Sequence, residues 1–104
     1  MKIKLIPLIL TLVAFCGLAM AMFNLDVFVT YKGQPVAGAL VQVFTIGSGY
    51  TNQHGWIWFY NIPDGEYRVR ASASIGGFGY EDDTTMYFSG GNQYLTMELH
   101  LPLP

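Results

Sequence analysis

The chain has 104 residues, enough for one small domain besides a targeting segment, and 52% of them are hydrophobic, which excludes a chain that is disordered throughout. Its formal net charge of −2 argues against nucleic-acid binding, because such binding needs a cluster of basic side chains. Two His and one Cys leave little material for a metal site or a catalytic constellation. The composition therefore predicts that the protein is not an enzyme and binds no cofactor.

The N-terminal segment has the order of a secretory signal. Residues 1–21 begin with a short basic region, continue as an almost unbroken apolar stretch and end in a small-residue site at Ala19 and Ala21. Cleavage after Ala21 would release residues 22–104. The same stretch is long enough to remain as a membrane anchor, since about 20 apolar residues span a bilayer. Both alternatives predict an N-terminal hydrophobic helix and place the rest of the chain outside the cytoplasmic membrane, secreted or anchored.

Beyond residue 21 apolar and polar residues alternate with the period of β-strands, and no stretch keeps the period of a helix. Clusters of Gly, Pro, Asn and Asp punctuate this alternation. Seven short strands are predicted, at residues 24–31, 39–46, 50–51, 56–60, 66–74, 84–88 and 93–101. This spacing predicts one all-β domain, an antiparallel Ig-like sandwich. The exported part holds three basic and seven acidic residues and no cysteine, so its stability must come from a packed core or from partners.

Two motifs carry a resemblance to a known family. The first is Gly33-Gln34-Pro35-Val36-Ala37-Gly38-Ala39 with Val41 and Val43, and the second is Thr51, Gly55, Ile57, Phe59, Asn61, Ile62, Pro63, Gly65 and Tyr67. Over residues 24–101 the chain resembles carboxypeptidase regulatory-like domains, which implies the prealbumin-like sandwich of transthyretin. The chain lacks the Tyr-Arg-Gly-Ser tail of the transthyretin-related hydroxyisourate hydrolases, so that activity is not implied. Such domains accompany many unrelated activities, and the resemblance bears on fold more than on function.

Three aromatic residues, Trp56, Trp58 and Tyr60, alternate along one predicted strand with Ile57 and Phe59. In the register that the resemblance implies, Ile57 and Phe59 point into the core and the three rings point outward. In the opposite register the three rings would form the core. Outward rings predict a binding site, because large exposed apolar patches mark surfaces that another molecule covers. The occupant is then a protein partner, a second copy of the chain or a polysaccharide.

Other outward positions bear on the choice of occupant. Phe28, Leu40 and Phe44 also fall on predicted outer faces. Apolar groups spread over several strands suit a protein interface better than a narrow sugar platform. Arg68 and Arg70 are candidates to stack on the aromatic row by cation–π contact or to form its rim.

The one cluster of charge is Glu81-Asp82-Asp83. Oxygen-rich loops bind calcium, so these residues are a weak calcium candidate. Three consecutive acids lack the alternating spacing of a loop that wraps an ion. A solvated loop is the alternative that the sequence favours.

These patterns predict a non-enzymatic, extracytoplasmic structural or protein-interaction module, a subunit of a cell-surface or membrane-associated assembly. Two alternatives stay open. One is a carbohydrate-binding module that stacks sugars on Trp56, Trp58 and Tyr60. The other is a single-span accessory subunit of a membrane complex, which requires that residues 1–21 are retained.

Overall fold

A computed structural model describes residues 21–102, which form eight strands and no helix. The strands are β1 (Met22–Tyr31), β2 (Gln34–Pro35), β3 (Leu40–Val43), β4 (Gly47–Tyr50), β5 (Trp56–Pro63), β6 (Gly65–Ile75), β7 (Phe78–Phe88) and β8 (Gly91–Glu98). Residues 1–20 of the predicted export segment, which include Ala19 of the cleavage site, lie outside the described residues, and Ala21 is the first residue described. Within the described range no helix is long and apolar enough to cross a membrane.

The strands form a sandwich of two four-stranded sheets. In sheet A, β8 flanks β1 on one side, while β5 and the short β2 follow one another along its other side. In sheet B the order is β4-β3-β6-β7. Neighbouring strands are antiparallel, as the turn-rich sequence predicts, except that β8 runs parallel to β1. The fold is a small all-β sandwich compatible with an Ig-like architecture.

Alternate residues of both sheets share one hydrophobic core. In β1 the inward residues Leu25, Val27 and Val29 are fully buried, because each second side chain of a strand points to the same face. The buried cluster consists of Phe23, Leu25, Val27, Val29, Ala39, Val41, Val43, Ile62, Val69, Ala71, Phe88, Met97 and Leu99. Both sheets contribute to it, so the core fixes which face of each strand remains outside.

Two motif residues, Thr51 and Gly55, stabilise turns of this sandwich. The Thr51 hydroxyl donates to the carbonyl oxygen of Val36 at 2.6 Å and accepts from the Ala39 N–H at 2.9 Å, which holds the loop before β3. Gly55 adopts a φ of +85°, and a Cβ there would lie 2.9 Å from the carbonyl oxygen of Val29. Thr51 and Gly55 are thus explained by backbone geometry, without reference to a ligand.

The two-residue strand β2 accounts for the difference between the predicted seven strands and the observed eight. Gly47-Ser48-Gly49 lies between the predicted strands 39–46 and 50–51, yet it belongs to β4, which pairs with β3. Between the predicted strands 66–74 and 84–88, residues 76 and 77 form a tight hairpin turn, and β7 starts at Phe78 rather than at Thr84. Long pairing with β6 holds β7 extended despite its polar composition, so tertiary hydrogen bonds override local propensity.

After β8 the chain leaves sheet A and contacts the outer edge of sheet B. The Glu81 N–H donates to the carbonyl oxygen of His100 at 2.7 Å, and the His100 N–H donates back to the carbonyl oxygen of Glu81 at 3.0 Å. The His100 ring lies 3.4 Å from a carboxylate oxygen of Asp82. This bridge joins the two sheets at one end and covers part of the exposed edge of β7.

Candidate interaction surface

The aromatic row of β5 lies on the outer face of sheet A. Phe28 is the register partner of Trp56, and Asp26 is the partner of Trp58. Ile57 and Phe59, on the opposite face of β5, pack against the core. Of the two registers open from the sequence, the structure therefore has the one with the rings outside.

We define the aromatic face as the rings of Phe28, Trp56, Trp58, Tyr60 and Tyr94, which stand on three adjacent strands. The Phe28 and Trp56 rings stack with centroids 4.7 Å apart, and the Trp56 and Trp58 rings are nearly parallel at 6.5 Å. Trp58 is 45% exposed, Tyr60 65% and Tyr94 69%. Phe28, Trp56 and Trp58 thus stack on one another, while Tyr60 and Tyr94 present most of their surface to solvent.

Tyr94 is the member of this face that sequence reasoning missed. It is the parallel register partner of Asp26, so it stands beside Asp26 on the outer side of sheet A. Its alternation with the inward residues Leu95 and Met97 is a signal present in the sequence. Its position next to β1 depends on the parallel pairing of β8, which no local pattern indicates.

Asp26 occupies the middle of the aromatic face. It lies between Trp58 on β5 and Tyr94 on β8, both in register, and it is half-buried. The ion pairs among the described residues join Arg68 to Asp83, Arg70 to Glu81 and His100 to Asp82. No hydrogen bond or ion pair within residues 21–102 involves the carboxylate of Asp26, so its oxygens remain available to another molecule.

The polar residues at both ends of the same β1 row are, by contrast, held within the domain. The Asn24 side chain donates to Asn92 at 3.2 Å and accepts from the backbone N–H of Asn61 at 3.0 Å. At the other end the Thr30 hydroxyl and the Gly33 N–H donate to the carboxylate of Glu98. These bonds, that of Thr30 first, lower the pKa of Glu98. Asp26 is therefore distinguished from its outward neighbours by lacking an internal partner.

The predicted contact of Arg68 or Arg70 with the aromatic row is wrong, because β6 belongs to sheet B. Arg68 lies over the Phe44 ring, 4.6 Å from its centroid, and pairs with Asp83 at 2.5 Å. Arg70 pairs with Glu81 at 2.6 Å. Phe44 likewise lies beside sheet B, and Leu40 stands in β3 of that sheet. Of the three additional outward residues only Phe28 therefore joins the aromatic face.

The acidic segment is part of β7 rather than a loop. Glu81 and Asp83 point to the outer face of sheet B and bind arginines, while Asp82 points to the other side and faces His100. The hydrogen bond from Arg68 lowers the pKa of Asp83. The described residues contain no group of three or more His, Cys, Asp or Glu side chains that could hold a metal ion. The calcium hypothesis for these three acids has no geometric support.

Comparison with known proteins identifies no relative: no family model matches the chain, and no curated protein matches its sequence. The class of the protein is thus defined by its fold, a small β-sandwich with one outer face rich in exposed aromatic rings.

Proposed function

We propose that this chain is a non-enzymatic, extracytoplasmic interaction module with the prealbumin-like topology of carboxypeptidase regulatory-like domains. Three motif residues support the family assignment, because they hold turns that the sandwich requires. Thr51 holds the loop before β3 and Gly55 adopts a positive φ before β5. The Tyr67 hydroxyl donates to the carbonyl oxygen of Pro63 across the turn between β5 and β6. The order of residues 1–21 supports export and a location outside the cytoplasmic membrane.

The aromatic face is the observation that carries this proposal. Trp and Tyr are the side chains that most often anchor protein interfaces, and here they stand on three neighbouring strands. The outer face of sheet B differs, since its arginines and acids pair with one another. The module therefore docks a protein partner through sheet A, as a subunit of a cell-surface or membrane-associated assembly.

The size of the native particle tests this proposal. We expect the wild-type chain, extracted from its native host in mild detergent, to be part of a particle larger than its monomer. Trp58→Ser and Tyr94→Ser should release the monomer without lowering the melting temperature. Tyr87→Ser is the matched control, because Tyr87 is 67% exposed on sheet B and Tyr94 is 69% exposed on sheet A. A particle of unchanged size in both sheet A variants would contradict the proposal.

A carbohydrate-binding module is the second candidate. It is favoured by the Asp26 carboxylate and the Tyr94 hydroxyl, which stand among the rings as hydrogen-bonding groups for sugar hydroxyls. Affinity electrophoresis in gels that contain soluble polysaccharides measures this binding. Retardation that persists after Trp56→Ala and Trp58→Ala would exclude stacking on these rings.

The third candidate, a single-span accessory subunit, depends on the fate of residues 1–21. The intact mass of the protein from a membrane preparation decides it. A mass that starts at Met22 indicates a secreted module, whereas a mass that includes residues 1–21 indicates an anchored subunit.

A further inference from the structure

The aromatic face cannot be covered without covering a carboxylate. Asp26 lies in register between Trp58 and Tyr94, so a partner that contacts both rings also excludes water from Asp26. Burying a charge without a counter-charge is strongly unfavourable. The chemistry of the occupant is therefore constrained by Asp26 as well as by the rings.

The counter-charge does not come from the described part of this chain. Residues 21–102 hold three basic residues against seven acidic ones. Arg68 and Arg70 lie on sheet B in ion pairs, and Lys32 lies in the turn after β1, with its ammonium 5.4 Å from the centroid of the Tyr31 ring. A second copy would bring the same excess of acid and the same engaged arginines. A different protein is the better source of a cation.

We propose that the aromatic face binds a partner protein through an arginine side chain that pairs with Asp26 between Trp58 and Tyr94. The inference rests on the proposed function and names the chemistry of its partner. A guanidinium is planar, donates two parallel hydrogen bonds to a carboxylate and stacks on aromatic rings. It satisfies all three residues at once. A lysine ammonium offers a more compact, strongly hydrated charge, and a neutral sugar leaves the charge of Asp26 uncompensated.

Tryptophan fluorescence reports this contact directly, because both tryptophans of the chain stand on the aromatic face. The full chain in detergent micelles is titrated with acetyl-Gly-Arg-Gly-amide. The same tripeptide with citrulline, a neutral analogue of arginine, and a soluble glucose oligosaccharide are the comparison probes. We expect a saturable change with the arginine peptide and about tenfold weaker binding of the citrulline peptide, as the loss of a charge-assisted pair produces.

Asp26→Asn should weaken binding of the arginine peptide about tenfold and reduce its preference over the citrulline peptide. Glu66→Gln is the matched control, because it removes one exposed negative charge from sheet B and should leave binding unchanged. Equal affinity of Asp26→Asn and wild type overturns the inference, as does the absence of a saturable change. Tighter binding of the oligosaccharide overturns it in favour of the carbohydrate alternative.

The native particle separates this inference from the proposed function. If Trp58→Ser releases the monomer but Asp26→Asn leaves the particle intact, the interaction face stands and the arginine contact is wrong. If Trp58→Ser, Tyr94→Ser and Asp26→Asn all leave the particle unchanged, the proposed function itself fails.

Discussion

The hydroxyl of Tyr67 donates a hydrogen bond of 2.7 Å to the carbonyl oxygen of Pro63, across the turn between β5 and β6. Tyr67 also packs its ring against Phe23 with centroids 5.9 Å apart. The spacing Pro-x-Gly-x-Tyr thus places a turn and its side-chain lock on the same hairpin. We expect Tyr67→Phe to keep the packing and lower the free energy of unfolding by about 1 kcal/mol, which chemical denaturation measures.

Tyr87→Phe is the control for that measurement. Tyr87 is exposed, and its hydroxyl takes part in no hydrogen bond among the described residues. Its loss should leave the free energy of unfolding unchanged. An equal effect of both substitutions would show that the Tyr67 hydroxyl adds nothing specific.

Loss of the buried Thr51 hydroxyl is expected to lower the free energy of unfolding more than loss of the Tyr67 hydroxyl does. Thr51→Val has nearly the same shape but leaves the N–H of Ala39 and the carbonyl of Val36 without this partner. We expect a loss of about 2 kcal/mol in the free energy of unfolding, because buried polar groups are left unpaired. Thr51→Ser, which keeps the hydroxyl, should retain most of the stability. If Val and Ser behave alike, packing of the methyl group rather than hydrogen bonding explains the role of Thr51.

Gly55 and Gly33 form a matched pair that separates two effects of a Cβ. Both adopt a positive φ, +85° and +77°, but only at Gly55 would a Cβ meet the carbonyl oxygen of Val29, at 2.9 Å. Gly33→Ala should cost about 1 kcal/mol from backbone strain alone. Gly55→Ala should cost clearly more, because strain and steric overlap add. Thermal unfolding of the two variants side by side tests the order.

The pH dependence of stability should report the bridge at His100. The hydrogen bond to the carbonyl oxygen of Leu101, and then Asp82, raise the pKa of His100 above its ordinary value of 6.5. A raised pKa in the folded state stabilises the fold fully below the unfolded pKa, and this contribution is lost as pH rises through the folded pKa.

Melting temperatures measured from slightly acidic to slightly alkaline pH should therefore fall by a small amount in the wild type. His100→Gln should flatten this part of the profile. Asp82→Asn should flatten it partly, since Asp82 is, after the carbonyl of Leu101, the next group that raises the pKa of His100. A His100→Gln profile parallel to that of the wild type would mean that other groups determine the slope.

Most of the strands, and the inward face of β1, were predictable from the sequence because both depend on neighbouring residues. The alternation of Leu25, Val27 and Val29 specifies one buried face whatever strand lies beside it. The alternation of β5 left two registers open, and the resemblance implied the observed one, in which Ile57 and Phe59 face the core. Glycine and proline marked most turns, since their backbone preferences are local.

Which strands lie side by side follows from contacts between distant parts of the chain and from no local pattern. Arg68 and Trp58 have similar outward positions on consecutive strands, yet they stand on different sheets because the chain changes sheet at the turn after Pro63. Tyr94 reaches Asp26 through a parallel pair that joins residues 68 positions apart. Such pairings minimise the energy of the whole core rather than of a local segment. Local alternation therefore specifies most of the strands and the buried face of β1, because it depends on neighbouring residues alone. The short β2, the first half of β7 and the assembly of the aromatic face around Asp26 depend on pairing between distant segments.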